Sequence, residues 1–404
     1  MTVIRDRGIE NNTPLAAGGD FAPGPSLLDR AFMLRDRLFA APWFQRWAAG
    51  VPLVRSIARR QAGALFDLCA GFVYSQVLRA CVELRLFEHL TGPPLSVDDL
   101  AARMSLSREA CERLLLAAAS LKLVARRSHG RYGLAMLGAA LAGNPGIADM
   151  VRHHRHLYAD LADPVALLRG EVKETALSRY WAYAKADALG EIDDARVAEY
   201  SALMSASLAA IAEDVLDAYS FARHKVLLDV GGGEGAFLSA AAARWPHLRL
   251  KLLDLPPVAA RARERFARAG LNERAEAIGG SFLDAPLPRA DAATLIRVLL
   301  DHDDATVLSL LTNLRRSLEP GATLVVAEPM AATQGAEAMG DAYFGFYLMA
   351  MGRGRPRTPK QLADLMLGAG FEAIKRLPAR RPFMTQIIAA RTPEAAPADC
   401  GNCK

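Results

Sequence analysis

The chain changes its pattern of apolar and polar positions about halfway along. From Leu27 to about residue 222, apolar residues recur at the spacing of amphipathic helices. Pro42 and Pro52 divide the start of this stretch into short helices, because proline is tolerated mainly in a first helical turn. After His224, apolar strand-like runs alternate with helical stretches, which predicts an α/β fold with a parallel, doubly wound sheet. The predicted strands are 226–230, 250–255, 292–296, 323–327 and 384–390.

The helical half contains a compact pattern of three helices and a hairpin. A helix over 72–90 stops at Thr-Gly-Pro-Pro, and Ser96 caps a second helix. Either Ser105 or Ser107 caps a third helix, which runs through Leu121. Two short strands then flank a Ser-His-Gly turn, so the pattern predicts a winged helix. The predicted divisions are a disordered lead (1–26), basic amphipathic helices (27–60), the winged helix (61–170), connecting helices (171–222), the sheet domain (223–390) and a loose tail (391–404).

Composition and charge narrow the class of protein. The 404 residues are 52% apolar and 23% charged, which is typical of a globular chain. The net charge of +5 is carried by residues 23–60, which contain seven arginines and two aspartates. An anionic surface is therefore expected to bind this arm. Without a long uncharged apolar run, a signal core or a cysteine framework, we expect a cytoplasmic protein with no membrane span.

The strongest local motif is Val-Leu-Leu-Asp-Val-Gly-Gly-Gly-Glu-Gly, from Val226 to Gly235, followed by an alanine-rich helix. Glycines permit a tight turn close to a ligand, and the following helix N-terminus favours negative groups. Asp254 lies 19 residues later at a predicted strand end, where a carboxylate can accept both hydroxyls of a ribose. A dinucleotide site is the rival interpretation. Asp229 argues against it, because a carboxylate before the glycines would repel a pyrophosphate.

Further motifs follow in order: Leu-Asp-Leu-Pro-Pro (253–257), Gly-Gly-Ser-Phe (279–282), Ile-Arg-Val-Leu-Leu-Asp-His-Asp-Asp (296–304) and Val-Ala-Glu-Pro (326–329). With the glycine motif, this series resembles the S-adenosylmethionine-dependent O-methyltransferases of the plant caffeic-acid type and their bacterial relatives. The resemblance implies a winged-helix dimerisation domain, a seven-stranded Rossmann-like domain, a homodimer and S-adenosylmethionine as cofactor. The cofactor-binding residues that it implies are Asp229, Gly231, Gly233, Asp254, Ser281, Phe282 and Arg297. The position of a further adenine contact in many relatives, an aspartate, is Gly280 here.

The resemblance breaks at the catalytic base. Relatives that act on phenols read His-Asp-Trp where this chain reads Leu300-Asp301-His302, and their base is that histidine. Glu328 matches the glutamate that orients the base, whereas a second expected glutamate is Pro356. The candidates for taking a proton are therefore His302, Asp301 and Glu328. A surface or capping role for His302 is the alternative.

One subgroup is similar over longer stretches, the carotenoid 1-hydroxy O-methyltransferases of photosynthetic bacteria. The shared stretches include Phe-Asp-Leu-Cys-Ala-Gly-Phe-Val-Tyr-Ser-Gln (66–76) and Met-Gly-Arg-Gly-Arg-Pro-Arg-Thr (351–358). The resemblance implies methylation of a tertiary hydroxyl on an acyclic carotenoid such as demethylspheroidene or hydroxyneurosporene. Tyr343, Phe344, Tyr347 and Met351 are predicted to line a long apolar substrate pocket, with core packing as the alternative.

Several alternatives stay open. The acceptor of the methyl group is otherwise a tetrapyrrole, a phenol or a polyketide, and a third hypothesis is an inactive cofactor-binding or DNA-binding regulator. Nucleic acid is not expected as a partner, because Glu109 and Glu112 offset the arginines of the third helix. No metal is expected, because Cys400 and Cys403 lack a second pair and the histidines at 153, 154 and 156 are read as solvated. The basic arm is predicted either to contact a membrane peripherally, on the inner membrane, or to pack on the partner subunit.

Overall fold

The computed structural model describes residues 26–180 and 208–394, so the predicted lead, most of the tail with Cys400 and Cys403, and part of the connecting segment lie outside the described residues. The chain divides into two compact units, Met1–Gln76 and Val77–Lys404. The predicted boundary at residue 60 falls inside a continuous helix. The boundary between the two units, after Gln76, therefore lies later in the chain than the end of the basic arm.

The first unit is built of helices that begin at a cap or a proline. Ser26 and Asp29 form a capping box at the start of the first helix. Pro42 and Pro52 begin the next two, as predicted, but the third is not short. It runs for 32 residues because no proline follows Pro52 until the helix has ended. These helices are α1 (Leu27–Ala40), α2 (Pro42–Gly50) and α3 (Pro52–Glu83), whose last residues belong to the second unit.

Helix α3 bears on the expectation that the chain has no membrane span. Its stretch Val54–Glu83 is long and apolar enough to cross a membrane, by length and composition only, and 11% of its most apolar window is buried. Asp67 interrupts its apolar residues, so the stretch is not an uncharged run. By length and composition it is a candidate membrane span, and its most apolar window is largely exposed.

The predicted winged helix is present. Ser107, and not Ser105, caps its third helix, and the helix predicted over 72–90 is interrupted where Arg85 adopts a left-handed conformation. Phe87, Leu100 and Leu115 are buried at the centre of its core. Its elements are the end of α3, α4 (Leu86–His89), α5 (Val97–Met104), α6 (Arg108–Ser120), β1 (Val124–Arg126), β2 (Tyr132–Leu134) and α7 (Met136–Ala142). The helices that follow it are α8 (Pro145–Asp160), α9 (Pro164–Leu168), α10 (Ala176–Tyr180) and α11 (208–218).

The second half forms the predicted sheet, with seven strands in the order β5-β4-β3-β6-β7-β9-β8. The five strands from β5 to β7 are parallel, while β9 and β8 are antiparallel additions at one edge. The strands are β3 (Val226–Val230), β4 (Arg249–Asp254), β5 (Ala275–Gly279), β6 (Ala292–Ile296), β7 (Thr323–Glu328), β8 (Glu372–Leu377) and β9 (Gln386–Arg391). The sequence did not predict β5 and β8. Both are edge strands with exposed positions and lack a continuous apolar run.

Helices cover the sheet and connect its strands. They are α12 (Ala236–Arg244), α13 (Pro256–Arg268), α14 (Asp304–Ser317), a π-helical turn (Ala338–Phe344), α15 (Gly345–Met351) and α16 (Pro359–Gly368). Two buried clusters flank the sheet, one containing Leu295 and Leu311 and the other Leu252 and Phe266. From β3 the chain adds β4 and β5 on one side of the sheet. It then crosses back and adds β6 on the other side of β3. This switch in strand order opens a crevice at the carboxyl ends of these strands, which is where ligands bind in open α/β sheets.

Gly138 on α7 lies too close to the wing for any side chain. A Cβ atom there would lie 2.0 Å from the carbonyl oxygen of Leu123. We therefore expect Gly138→Ala to lower the free energy of unfolding by about 1–3 kcal/mol, the usual cost of overpacking a core. Urea denaturation of the purified protein measures it. Gly143→Ala is the matched control, because its nearest contact would be an ordinary 3.6 Å, and equal losses in both variants would contradict the packing argument.

Candidate active site at the carboxyl ends of the parallel strands

The glycine motif forms a loop pressed against the neighbouring strand. The backbone N–H of Gly231 donates to the carbonyl of Leu253 (2.8 Å), and both Gly231 and Gly233 have positive φ. Gly235 is the N-cap of α12, and a Cβ there would lie 2.6 Å from the ring of Phe266. Beside Gly233, by contrast, a Cβ would meet no atom within 4 Å. The loop is thus packed below and open above, as a ligand cradle requires.

Asp254 stands at the end of β4, beside this loop. Its carboxylate accepts hydrogen bonds from the backbone N–H groups of Gly233 (2.8 Å) and Leu255 (2.7 Å). Burial raises the pKa of Asp254 to about 6, although these two donors favour the ionised form. Each carboxylate oxygen keeps a lone pair for a further donor. A diol such as ribose matches this remaining acceptor capacity.

Asp229 lies beneath the loop. One carboxylate oxygen accepts a hydrogen bond from the hydroxyl of Thr294 (2.7 Å). The other faces Gly232, where a Cβ would come within 2.6 Å of it. Burial, with a smaller effect from Asp254, raises the pKa of Asp229 to about 7. Asp229 therefore supports the loop from below and also requires glycine at 232.

The segment after β5 forms a second wall. The backbone N–H of Gly280 donates to the carbonyl of Asp254 (2.9 Å), and the hydroxyl of Ser281 accepts from Leu283. The ring of Phe282 meets the ring of His302 edge to face, with centroids 5.1 Å apart. The structure thus brings together Ser281, Phe282 and His302 near Asp254, although the sequence assigned His302 to a different role.

A single carboxylate holds the segment that follows β6. One oxygen of Glu328 accepts hydrogen bonds from the backbone N–H groups of Val298 (3.1 Å), Leu299 (2.5 Å) and Leu300 (3.2 Å). Glu328 is 2% exposed, and burial raises its pKa to about 8 against the opposing effect of these donors. Its hydrogen bonds make it a support for the backbone, and its role in taking a proton stays a prediction.

Arg357 binds the backbone carbonyl groups of the same segment. Its guanidinium donates to the carbonyls of Leu299 (2.7 Å) and His302 (2.7 Å) and pairs with Asp304. Arg297, at the start of the segment, adopts a positive φ of 57° and donates its N–H to Ala327 (2.9 Å). The segment 297–304 is therefore held on both its donor and its acceptor groups, a condition for precise placement of side chains.

The three predicted proton acceptors have different surroundings. His302 packs on Phe282, one of the predicted adenine contacts, and burial lowers its pKa to about 4, which keeps its imidazole neutral. Burial raises the pKa of Asp301 to about 7, with Arg297 and Arg353 opposing the shift. Leu300, at the position of the relatives' histidine, is 4% exposed and belongs to an apolar cluster.

That apolar cluster also contains the predicted pocket residues. Tyr347 and Met351 are buried in it beside Leu300, and Tyr343 and Phe344 pack against it. A cavity of about 410 Å³ lies on another side of α15, lined by Val172, Lys173, Leu348, Met349 and Arg353 among others. None of the four predicted residues lines this cavity. Tyr347 and Met351 are therefore packed inside the cluster, Tyr343 and Phe344 lie at its border, and their role in a substrate pocket stays a prediction.

Two of the histidines of α8 differ from the prediction that they are solvated. His153 is buried, and its Nε2 lies 2.8 Å from the hydroxyl of Tyr347. His154 is partly buried, and its Nε2 lies 2.7 Å from the hydroxyl of Tyr343. They are not solvated, because α8 turns this face towards α15. In the described parts of the chain, no group of three or more His, Cys, Asp or Glu residues could hold a metal ion.

Comparison with known families agrees with this architecture. A family model of the O-methyltransferase domain matches residues 158–372, and a model of the O-methyltransferase dimerisation domain matches residues 66–144. The chain thus belongs to the O-methyltransferases with an N-terminal dimerisation domain. That domain supports a homodimer, and it includes the end of the apolar helix α3.

Individual relatives are similar over most of the chain. Demethylspheroidene O-methyltransferase of Cereibacter sphaeroides is 44% identical over 362 residues, covering 89% of this chain and 95% of that protein. The protein of the same name from Rhodobacter capsulatus is 42% identical over 342 residues, covering 84% of each. Among solved structures, human N-acetylserotonin methyltransferase superposes with a TM-score of 0.71 at 24% identity, over 82% of this chain and 98% of that one.

The buried state of Glu328 predicts a pH dependence of stability. Its pKa in the folded state, about 8, lies above the value of about 4.3 for an unfolded glutamate, so the folded state holds the proton more tightly. This contribution to stability is complete at low pH and is lost as the pH rises through 8. We expect Glu328→Gln, which keeps an oxygen for the three N–H donors, to lose less stability than the wild type between about pH 5 and about pH 8.

Urea midpoints at the two pH values measure this difference. The exposed carboxylate of Glu319 offers the control, because Glu319→Gln is expected to leave the decline unchanged. An equally steep decline in Glu328→Gln would show that Glu328 is already ionised in the folded protein.

Proposed function

We propose that this protein is an S-adenosylmethionine-dependent O-methyltransferase that methylates a tertiary hydroxyl of an acyclic carotenoid, such as demethylspheroidene or hydroxyneurosporene. The observation that carries the proposal is Leu300. A buried leucine replaces the base that deprotonates phenols, and it lies in an apolar cluster suited to a hydrocarbon acceptor. The names of the two relatives at 44% and 42% identity support the same acceptor.

The residues at the carboxyl ends of the strands fit S-adenosylmethionine. The carboxylate of Asp254 has acceptor capacity left for ribose hydroxyls, and the open side of Gly233 leaves room for a ligand close to the backbone. The rings of Phe282 and His302 offer faces and edges against which the adenine ring of the cofactor can pack. When bound, this cofactor supplies a methyl group on a positively charged sulfur. The sulfur is a good leaving group because it departs as a neutral thioether.

The protein's own contribution is then placement of the acceptor. A tertiary alcohol is too weakly acidic to ionise first, so its oxygen has to be held in line with the methyl group. Such placement can supply roughly 7–11 kcal/mol of the barrier. Glu328 and Arg357 contribute by fixing the segment 297–304, and the apolar cluster around Leu300 excludes water from the acceptor side.

Transfer of a labelled methyl group tests this function. Purified protein is incubated with labelled S-adenosylmethionine and acceptors in detergent: a hydroxylated acyclic carotenoid, a tetrapyrrole and a phenol. We expect label in the carotenoid alone. Asp254→Asn is expected to weaken cofactor binding by about 10- to 100-fold, the loss for a hydrogen bond to a charged group, while Asp284→Asn at an exposed site leaves it unchanged.

Each other outcome of this assay has a definite meaning. Label only in the phenol or the tetrapyrrole would refute the carotenoid proposal and keep the methyltransferase. Cofactor binding without transfer to any acceptor would favour a regulator without catalysis.

We further propose that the protein works in the cytoplasm and contacts an anionic membrane peripherally through α1 and α2. Helix α1 buries no residue, and Trp43 is 59% exposed. Other exposed apolar side chains are Phe32, Phe39 and Trp47. They lie among the arginines of residues 23–60, as in helices that rest on anionic lipid. This arm precedes the matched dimerisation domain, and a water-insoluble acceptor would be collected at such a surface.

Flotation with vesicles that contain phosphatidylglycerol tests the membrane contact. We expect the wild type to float, less so at high salt, and the triple variant Phe39→Ser, Trp43→Ser, Trp47→Ser to stay behind. A control that replaces the exposed Met136 and Leu168 by serine should float like the wild type. If the triple variant still floats but loses its dimer, the arm packs on the partner subunit instead.

A further inference from the structure

Two histidine–tyrosine pairs connect α8 to the aromatic residues near α15. Their Nε2–hydroxyl distances are 2.8 Å for His153 with Tyr347 and 2.7 Å for His154 with Tyr343. The pairs have the same chemistry and come from consecutive histidines. They differ in burial and in neighbours, so the structure offers a matched comparison between them.

The His153–Tyr347 pair belongs to the core. Both residues are buried, and the ring of His153 lies 4.7 Å from the ring of Tyr180, centroid to centroid. Burial lowers the pKa of His153 to about 4, which keeps its imidazole neutral. We assign this pair to packing between α8, α10 and α15.

The His154–Tyr343 pair lies at the border of the apolar cluster that contains Leu300. Tyr343 packs against that cluster, and its ring centroid is 5.9 Å from that of Tyr347 within it. Tyr343 is also within electrostatic reach of Arg297, the first residue after β6, whose charge favours the ionised tyrosine. Tyr343 therefore packs on the apolar cluster around Leu300, lies within electrostatic reach of the residue that follows β6, and holds its hydroxyl against His154.

We propose that Tyr343 binds the acceptor hydroxyl and that the Tyr343–His154 pair takes its proton, in place of the histidine that the family has lost here. This inference rests on the proposed methyltransferase function. In the step, the acceptor oxygen forms its bond to the methyl carbon, and the carbon–sulfur bond of the donor breaks with its electron pair remaining on sulfur. The hydroxyl proton passes to the oxygen of Tyr343, and the proton of Tyr343 passes to Nε2 of His154.

The surroundings of the pair suit this role. Burial lowers the pKa of His154, so its imidazole is neutral and Nε2 can accept a proton when Nδ1 carries the other one. Burial raises the pKa of Tyr343 to about 12, so the tyrosine is not itself the final base. It passes the proton on, while the imidazole takes up the charge. Tyr158 on the same helix also faces His154, with ring centroids 6.4 Å apart.

Three single variants of the full-length protein test the proposal: Tyr343→Phe, His154→Gln and the matched control His153→Gln. Acceptor binding is followed without catalysis by the visible absorption of the carotenoid, and cofactor binding by calorimetry. We expect Tyr343→Phe to lower kcat by about 100-fold or more, the scale of general acid–base catalysis, and to weaken acceptor binding. His154→Gln should lower kcat similarly with little change in KM, because glutamine keeps the hydrogen bond but cannot take the proton.

The control His153→Gln should lower thermal stability and leave kcat within about threefold, since a packing role affects folding and not the chemical step. Cofactor affinity should be unchanged in all three variants. The proposal is overturned if Tyr343→Phe and His154→Gln keep wild-type kcat, or if His153→Gln loses as much. Wild-type transfer to another acceptor refutes only the proposed carotenoid function, and the variants are then compared on that acceptor. Absence of transfer by the wild type overturns both.

Discussion

The site depends on one buried carboxylate. Glu328 ends β7 and accepts three consecutive backbone N–H groups from the segment after β6, groups that no strand partner satisfies. Leaving such donors unpaired inside the protein would cost about 1–3 kcal/mol each. The hydrogen bonds hold Leu299 and Leu300 in a tight turn, and the turn sets where Asp301 and His302 go. Arg357 completes the arrangement from the side of the carbonyl groups.

This support explains why Glu328 keeps a task in a chain that has no histidine at position 300. By resemblance, Glu328 is the residue that orients a histidine, but here the histidine position is Leu300. The carboxylate keeps its structural task because that task concerns the backbone, which a change of side chain at position 300 leaves intact. The protein thus holds the segment 297–304 firmly in place and presents an apolar side chain on it. A weakly acidic alcohol needs this placement more than it needs prior deprotonation.

The two ends of the proposed reaction are held by different kinds of interaction. On the cofactor side, close backbone packing and two buried aspartates shape the loop around Gly233. On the acceptor side, aromatic packing and the histidine–tyrosine pairs join α8 to α15. The cofactor side depends on contacts within one sheet. The acceptor side also needs α8, which comes before the sheet domain in the chain.

The sequence by itself determined the glycine loop, Asp254, the winged helix and the central strands, because each depends on local periodicity, capping or a contiguous motif. Only the tertiary structure decided that His302 packs on Phe282, that α3 begins at Pro52 and runs for 32 residues, and that β5 and β8 complete the sheet. It alone paired His154 with Tyr343, which are 189 positions apart. Such a contact has no local pattern, since a histidine on an amphipathic helix looks the same in sequence whether it faces water or a tyrosine.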